Sequence, residues 1–145
     1  MEQNCLICER VASAKDGTNP NLIHEFQNSC FVIGDHQYFK GYSLILLKEH
    51  FRELHELPSR LQQKLFKELM AAGQAVFNTF RPWKMNYSCY GNQDQHVHWH
   101  IIPRYESDPD HHRHPWLNAP KFKNHQILKD ERTEFIQAIR KNLKT

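Results

Sequence analysis

Apolar residues recur along the chain in two rhythms. From Ser59 to Phe80, the residues Leu61, Leu65, Leu69, Ala72, Val76 and Phe80 fall at spacings of three and four, the period of one helix face, and Arg81-Pro82 closes the run. Elsewhere the runs are shorter. Leu22 to Phe26, Cys30 to Gly34 and Tyr42 to Leu47 read as strands, separated by brief polar segments that hold Asn28-Ser29, Asp35-His36 and Lys40-Gly41. Connections this short favour antiparallel neighbours, since a parallel crossover needs about a dozen residues or more. Lys84 to Tyr90 alternates Met85, Tyr87 and Cys89 against Asn86, Ser88 and Tyr90, a further strand. The polar turn Gly91 to Gln95 then leads straight into residues 96 to 102, so these two strands should form a hairpin.

The rest of the chain is more irregular. Ala14 to Pro20 is dense in turn residues and reads as a surface loop. Pro103, Pro109, Pro115 and Pro120 argue against any regular element between 103 and 120. Asp130 to Leu143 reads as a terminal helix, with acids in its first turn and Arg140, Lys141 and Lys144 near its end, as the helix dipole prefers. Helices set apart from hairpin-linked strands predict an α+β fold with an antiparallel sheet of about five strands, one long helix and a C-terminal helix. A chain of 145 residues has room for one sizeable core, so residues 1–145 are expected to form a single domain.

The densest chemistry lies in His96-Val97-His98-Trp99-His100-Ile101-Ile102. On a strand, residues two apart share a face, so His96, His98 and His100 would form one row while Val97, Trp99 and Ile101 turn to the core. Imidazoles that close disfavour protonation of all of them, and at least one should stay neutral and nucleophilic. The row suits phosphoryl chemistry or a metal; the plain alternative is the solvated face of a half-buried strand. For a metal, His96 with His98, or His98 with His100, would chelate. No His-Glu-x-x-His helix or second His-x-His pair completes such a set, and the nearest acid, Asp94, is on the preceding turn.

Composition narrows the partners. A mean hydropathy of -0.76 and the lack of any long apolar run argue against a membrane span. A net charge of +3 is too small to imply nucleic acid or membrane, and its sign suits an anionic small molecule. The N-terminus shows no secretory pattern, so the cytoplasm is the expected setting and the four cysteines are not expected to form a disulfide framework. Cys30 and Cys89 read as small buried hydrophobes, whereas Cys5 and Cys8 form a Cys-x-x-Cys pair. His111-His112-Arg113-His114-Pro115-Trp116 has two readings, a lid whose Trp116 stacks on a base, or a solvated loop. It is the only support for nucleic-acid binding, which is not expected.

With these residues in view, the chain resembles the histidine-triad (HIT) family of nucleotide hydrolases and transferases, whose signature His-φ-His-φ-His-φ-φ is matched at every position from His96 to Ile102. Cys5-Leu6-Ile7-Cys8, Asp35, Lys40-Gly41-Tyr42, Lys48-Glu49-His50, Gly91-Asn92 and the continuation to Pro103-Arg104 follow the family in order and spacing over about residues 5 to 105. Within the family the resemblance is to the bacterial branch labelled diadenosine tetraphosphate hydrolase.

The resemblance implies that His98 attacks a nucleotide α-phosphorus to give a nucleotidyl-histidine that water hydrolyses. It gives His100 the phosphate and leaving-group oxygens, and His96 an orienting or ligand role. Asp35 would accept from ribose hydroxyls, while Asn92 and Gln93 would donate to the phosphate. Histidine at position 100, where sugar-nucleotide transferases of the family carry glutamine, favours hydrolysis of a dinucleoside polyphosphate or a nucleoside phosphoramidate. Some members hold structural zinc on a set equivalent to Cys5, Cys8, His50 and His96; no organic cofactor is implied, and a homodimer is. The rival expectations are a metal-dependent phosphohydrolase with the triad as ligands, and a nucleotide-binding or sensing protein with negligible turnover.

Overall fold

The computed structural model describes residues 4–144. Helix α1 (Leu6–Asp16) is followed by β1 (Leu22–Glu25), β2 (Ser29–Ile33) and β3 (Ser43–Leu47), then α2 (Ser59–Phe80), β4 (Lys84–Ser88), β5 (His98–Arg104) and α3 (Lys129–Lys141). Short 3-10 segments lie at Leu54–Glu56 and Pro115–His125. The five strands form one antiparallel sheet in the order β1-β2-β3-β5-β4. This is the α+β architecture expected, including the β4-β5 hairpin.

β2 and β3 read as continuous apolar runs because both their faces are covered. Phe31, Ile33, Ile45, Leu47 and Ile101 point to one side, onto Leu65, Leu69, Ala72 and Val76 of α2 and Phe135, Ile136 and Ile139 of α3. Cys30, Val32, Leu44, Leu46 and Ile102 point to the other, onto Ile7, Val11 and Ala14 of α1. Residues of β5 two and four before Ile102 share that second face, so the face of α1 is also the face of His98 and His100. Glu68, buried in α2, ties the helix to the β1-β2 turn by accepting from the Asn28 backbone N–H at 3.0 Å and the Ser29 hydroxyl at 2.6 Å.

The structure departs from the sequence pattern at three places. α1 is an element the sequence pattern does not predict, and its last turn takes in Ala14 to Asp16 of the expected surface loop: Cys5 caps it, its Sγ accepting from the Cys8 N–H at 3.3 Å, and Gly17 closes it in the left-handed region with φ of 83°. β5 begins at His98 rather than His96 and runs through Pro103 to Arg104. Pro103 is tolerated there because β3 pairs β5 only from Leu46↔His98 to Ser43↔Ile101, leaving Pro103 with β4 alone as neighbour. Pro115 opens a 3-10 segment inside the stretch expected to lack regular structure. No helix among the described residues is long and apolar enough to cross a membrane.

Candidate functional site

β5 presents His98 and His100 on one face, their ring centroids 5.0 Å apart. His98 is buried, and its Nδ1 lies 2.6 Å from the backbone oxygen of His96. A carbonyl can only accept, so Nδ1 carries the proton; in the neutral ring Nε2 then holds the lone pair. His100 Nδ1 lies 2.6 Å from the Tyr42 hydroxyl. Burial pushes the Tyr42 phenol well above its ordinary value, so the hydroxyl keeps its proton. Burial, reinforced by His98 and His36, pushes His100 down to about 4, so this ring is neutral near neutral pH. Tyr42 reaches this position because residue 34 is glycine: a Cβ there would collide with the Tyr42 ring.

A cavity of about 660 Å³ opens in front of these rings. Asn92 and Gln93 line it from the turn before β5, His98 and His100 from the strand, and His114 and Trp116 from the distal loop. The hairpin thus brings the predicted phosphate-contacting side chains to the predicted nucleophile. Trp116 meets His100 edge-on at 4.9 Å, so this end of the His-rich stretch packs on the site.

Asp35 lies outside that cavity. Its half-exposed carboxylate accepts from Arg10 Nη2 at 2.6 Å and from Asn21 Nδ2 at 2.8 Å. Its neighbour His36 begins a chain of ring contacts that reaches the cavity: His36 stacks on Tyr42 at 4.6 Å and on Phe122 at 4.2 Å, and Tyr42 on His100 at 5.9 Å. Arg104, only 1% exposed, holds the distal loop in place. It donates to the Arg113 backbone oxygen at 2.7 Å, the Asp110 backbone oxygen at 3.2 Å and Asn86 Oδ1 at 3.0 Å, and pairs with Asp108 at 3.3 Å. Sequence reasoning left Tyr42, His36, Phe122 and Arg104 without roles, and only the Lys40-Gly41-Tyr42 and Pro103-Arg104 segments of the family pattern flagged two of them.

His96 points elsewhere. It precedes the strand, and its Nε2 lies 2.7 Å from the Leu47 backbone oxygen, so Nε2 is the protonated nitrogen and Nδ1 holds the lone pair. That lone pair faces Cys5 Sγ at 3.4 Å, Cys8 Sγ at 3.5 Å and His50 Nδ1 at 3.1 Å. All four ligand atoms lie within 4.8 Å of one another, forming the only such group of three or more among the described residues. A tetrahedron with metal–ligand bonds of about 2.0–2.3 Å has edges of about 3.3–3.8 Å, so this donor set fits a zinc-sized ion. Cys5 and Cys8 supply the two sulfurs because Cys5, as the N-cap of α1, folds its Sγ back over the first turn to the Cys8 N–H.

The HIT domain pattern matches residues 18–107. The chain is 27% identical over 110 residues to a Bacillus subtilis protein named Protein hit, covering 71% of this chain and 72% of that one. Its fold matches that of a HIT-like protein from Bartonella henselae described as involved in cell-cycle regulation, with TM-score 0.78, 17% identity and coverage of 99% and 98% of the two chains. It also matches a zinc-bound histidine-triad protein from Mycobacterium smegmatis, with TM-score 0.68, 18% identity and coverage of 96% and 92%.

Proposed function

The chain belongs to the HIT domain family, and we propose that it is a nucleotide hydrolase akin to the diadenosine tetraphosphate hydrolase branch, cleaving a dinucleoside polyphosphate or a nucleoside phosphoramidate at the α-phosphate. The observation that carries this reading is the His98 tautomer. With Nδ1–H held by the His96 carbonyl, Nε2 is the ring nitrogen left to act as nucleophile, in a cavity bordered by Asn92, Gln93 and His100.

In the proposed reaction, Nε2 of His98 attacks the α-phosphorus. A P–N bond forms while the bond from phosphorus to the leaving oxygen or nitrogen breaks, the leaving group keeping the electron pair. Asn92 and Gln93 donate to the phosphate oxygens as charge builds there. The Tyr42 hydroxyl donates to His100 Nδ1, which keeps the ring proton on Nε2. That N–H serves the leaving atom as a hydrogen bond, and an amine leaving group takes its proton from solvent. Water then attacks phosphorus, its proton passing to solvent. The P–N electrons return to His98, and a nucleoside monophosphate leaves.

Asp35 is proposed to accept from the ribose, since its carboxylate retains acceptor sites beyond Arg10 and Asn21. Trp116, which lines the cavity beside His100, offers an aromatic surface for a base. Cys5, Cys8, His50 and His96 are proposed to hold a structural zinc, which would supply rigidity to a site whose four protein ligands fill the tetrahedron. His96 passes that rigidity on, because its backbone oxygen fixes the His98 ring. A homodimer of single-domain chains in the cytoplasm, with no organic cofactor, completes the reading.

The alternative of the triad as metal ligands has less support. His96 faces the thiols, and no third ligand group joins His98 and His100 among the described residues. Rapid quenching of the protein with diadenosine tetraphosphate followed by mass spectrometry should find an adenylyl adduct on His98, and His98→Ala should lose turnover by at least about a thousandfold. Full activity in His98→Ala would end the covalent reading. Tight nucleotide binding with neither adduct nor turnover would identify a sensor instead.

A further inference from the structure

The loop from Asp108 to Pro115 lies beyond the part of the chain matched by the family pattern, which ends at residue 107. It folds back beside the sheet-edge strand β4, pinned by the bonds from Arg104. Between loop and strand runs a cleft of about 600 Å³. It shares Tyr90, His114 and Trp116 with the cavity of His98, so the two adjoin.

Three features of this cleft point to one ligand class. Its lining carries the cations Lys84 and Arg113 together with the imidazoles of His111, His112 and His114, with no Asp or Glu among its walls. Such a one-sign wall recruits anions. Two donors sit unused at its inner end: Ser88 Oγ and Trp116 Nε1 are buried with no hydrogen-bond partner among the described residues. Ser88 stands opposite His100 in the β4-β5 register, so these donors adjoin the proposed reacting phosphorus. At the outer end, Trp83 is 46% exposed, with His111 and His112 edge-on to it at 5.1 and 5.6 Å. An indole left half in water beside imidazoles is a stacking platform.

The separation of the two ends matters. Trp83 stands immediately before β4, whose own length from Lys84 to Ser88 is about 13 Å at the rise of an extended strand, so the two ends are about 13–17 Å apart. A phosphate chain carrying a nucleoside spans that distance, and ammonia or a simple alcohol does not. We propose that this cleft binds the leaving half of the substrate, and that this half is a nucleoside polyphosphate: its phosphates lie along Ser88, Trp116 Nε1, His114 and Lys84, and its base stacks on Trp83. The assignment rests on the reading of His98 as nucleophile, and it singles out dinucleoside polyphosphates over phosphoramidates.

The test compares two substrates in wild type, in Trp83→Ala and in the double variant His111→Ala/His112→Ala, after thermal melting has shown that the variants fold. Diadenosine tetraphosphate carries the leaving half; adenosine phosphoramidate releases only ammonia. The expected result is a loss of about tenfold or more in kcat/KM for diadenosine tetraphosphate, carried mainly by KM, against less than about twofold for the phosphoramidate. Equal losses for both substrates, or no loss for either, would overturn the proposal. If wild type hydrolyses neither, the nucleophile reading has failed, and the cleft is judged by ATP binding in calorimetry. In that case, affinity about tenfold weaker in Trp83→Ala supports an anion-and-base cleft, and unaltered affinity overturns it.

Discussion

The Tyr42 hydroxyl and His100 form the closest polar contact between β5 and the loop before β3, at 2.6 Å, and Tyr42 is buried. Tyr42→Phe keeps the ring and removes only this bond. Its expected cost is about 1–3 kcal/mol of stability from a buried nitrogen left unpaired, and a fall in kcat with KM little moved, because His100 loses the bond that fixes its tautomer. Urea unfolding and steady-state kinetics check the two effects separately. His36 belongs to the same cluster and, like His100, is pushed by burial from the ordinary value of 6.5 to about 4. The folded state therefore takes up these protons later than the unfolded chain does as pH falls. Stability should be fullest above about pH 6.5 and decline towards pH 4, where the unfolded chain binds more protons. His36→Gln should flatten the fall of Tm between pH 6.5 and 4.5; an unchanged slope would show that His36 does not titrate in this way.

At the scale of elements, α1 is the helix least able to hold itself in place. It buries Ile7, Cys8, Val11 and Ala14 against the sheet, a small apolar stripe, and its start is tied to the Cys2His2 cluster. Cys5→Ser separates capping from metal binding, because serine is among the best N-cap residues while its hydroxyl is a poor zinc ligand. The variant should lose bound zinc, melt several degrees lower and exchange its α1 amides faster, with α2 protected as before. Zinc content and melting point equal to wild type would remove Cys5 from the ligand set. The same comparison explains what the sequence could disclose. α2 was legible because six apolar positions repeat along one face, and β2 and β3 because both faces are buried. α1 was hidden because its few apolar residues gain meaning only against Val32 and Leu46, strands away. The site divides likewise. His98, His100 and the turn residues are close in sequence and could be placed together, whereas Tyr42 on His100, 58 positions apart, and Trp116 on the same ring are products of tertiary packing.

The whole molecule presents two unlike surfaces. The histidine side is polar, aromatic and cationic, while the α2 side carries exposed Leu54, Phe66 and Met70, with Phe66 59% exposed. A hollow of about 530 Å³ lies there, lined by Leu54, Leu57, Leu65, Phe66 and Trp99. Trp99 connects the two sides, because it sits between His98 and His100 on β5 and turns the opposite way. Burial of this apolar patch against a second copy would be favourable at about 25 cal/mol per Å² before association costs, and it would steady the strand that bears the nucleophile. The homodimer proposed above is therefore expected to form through this face. Light scattering should give twice the chain mass for wild type and the chain mass for Phe66→Glu, which places a charge in the centre of the contact while leaving the fold intact, since Phe66 is outside the buried core. A wild-type protein at the chain mass, or a Phe66→Glu protein still at twice it, would remove this face from the assembly.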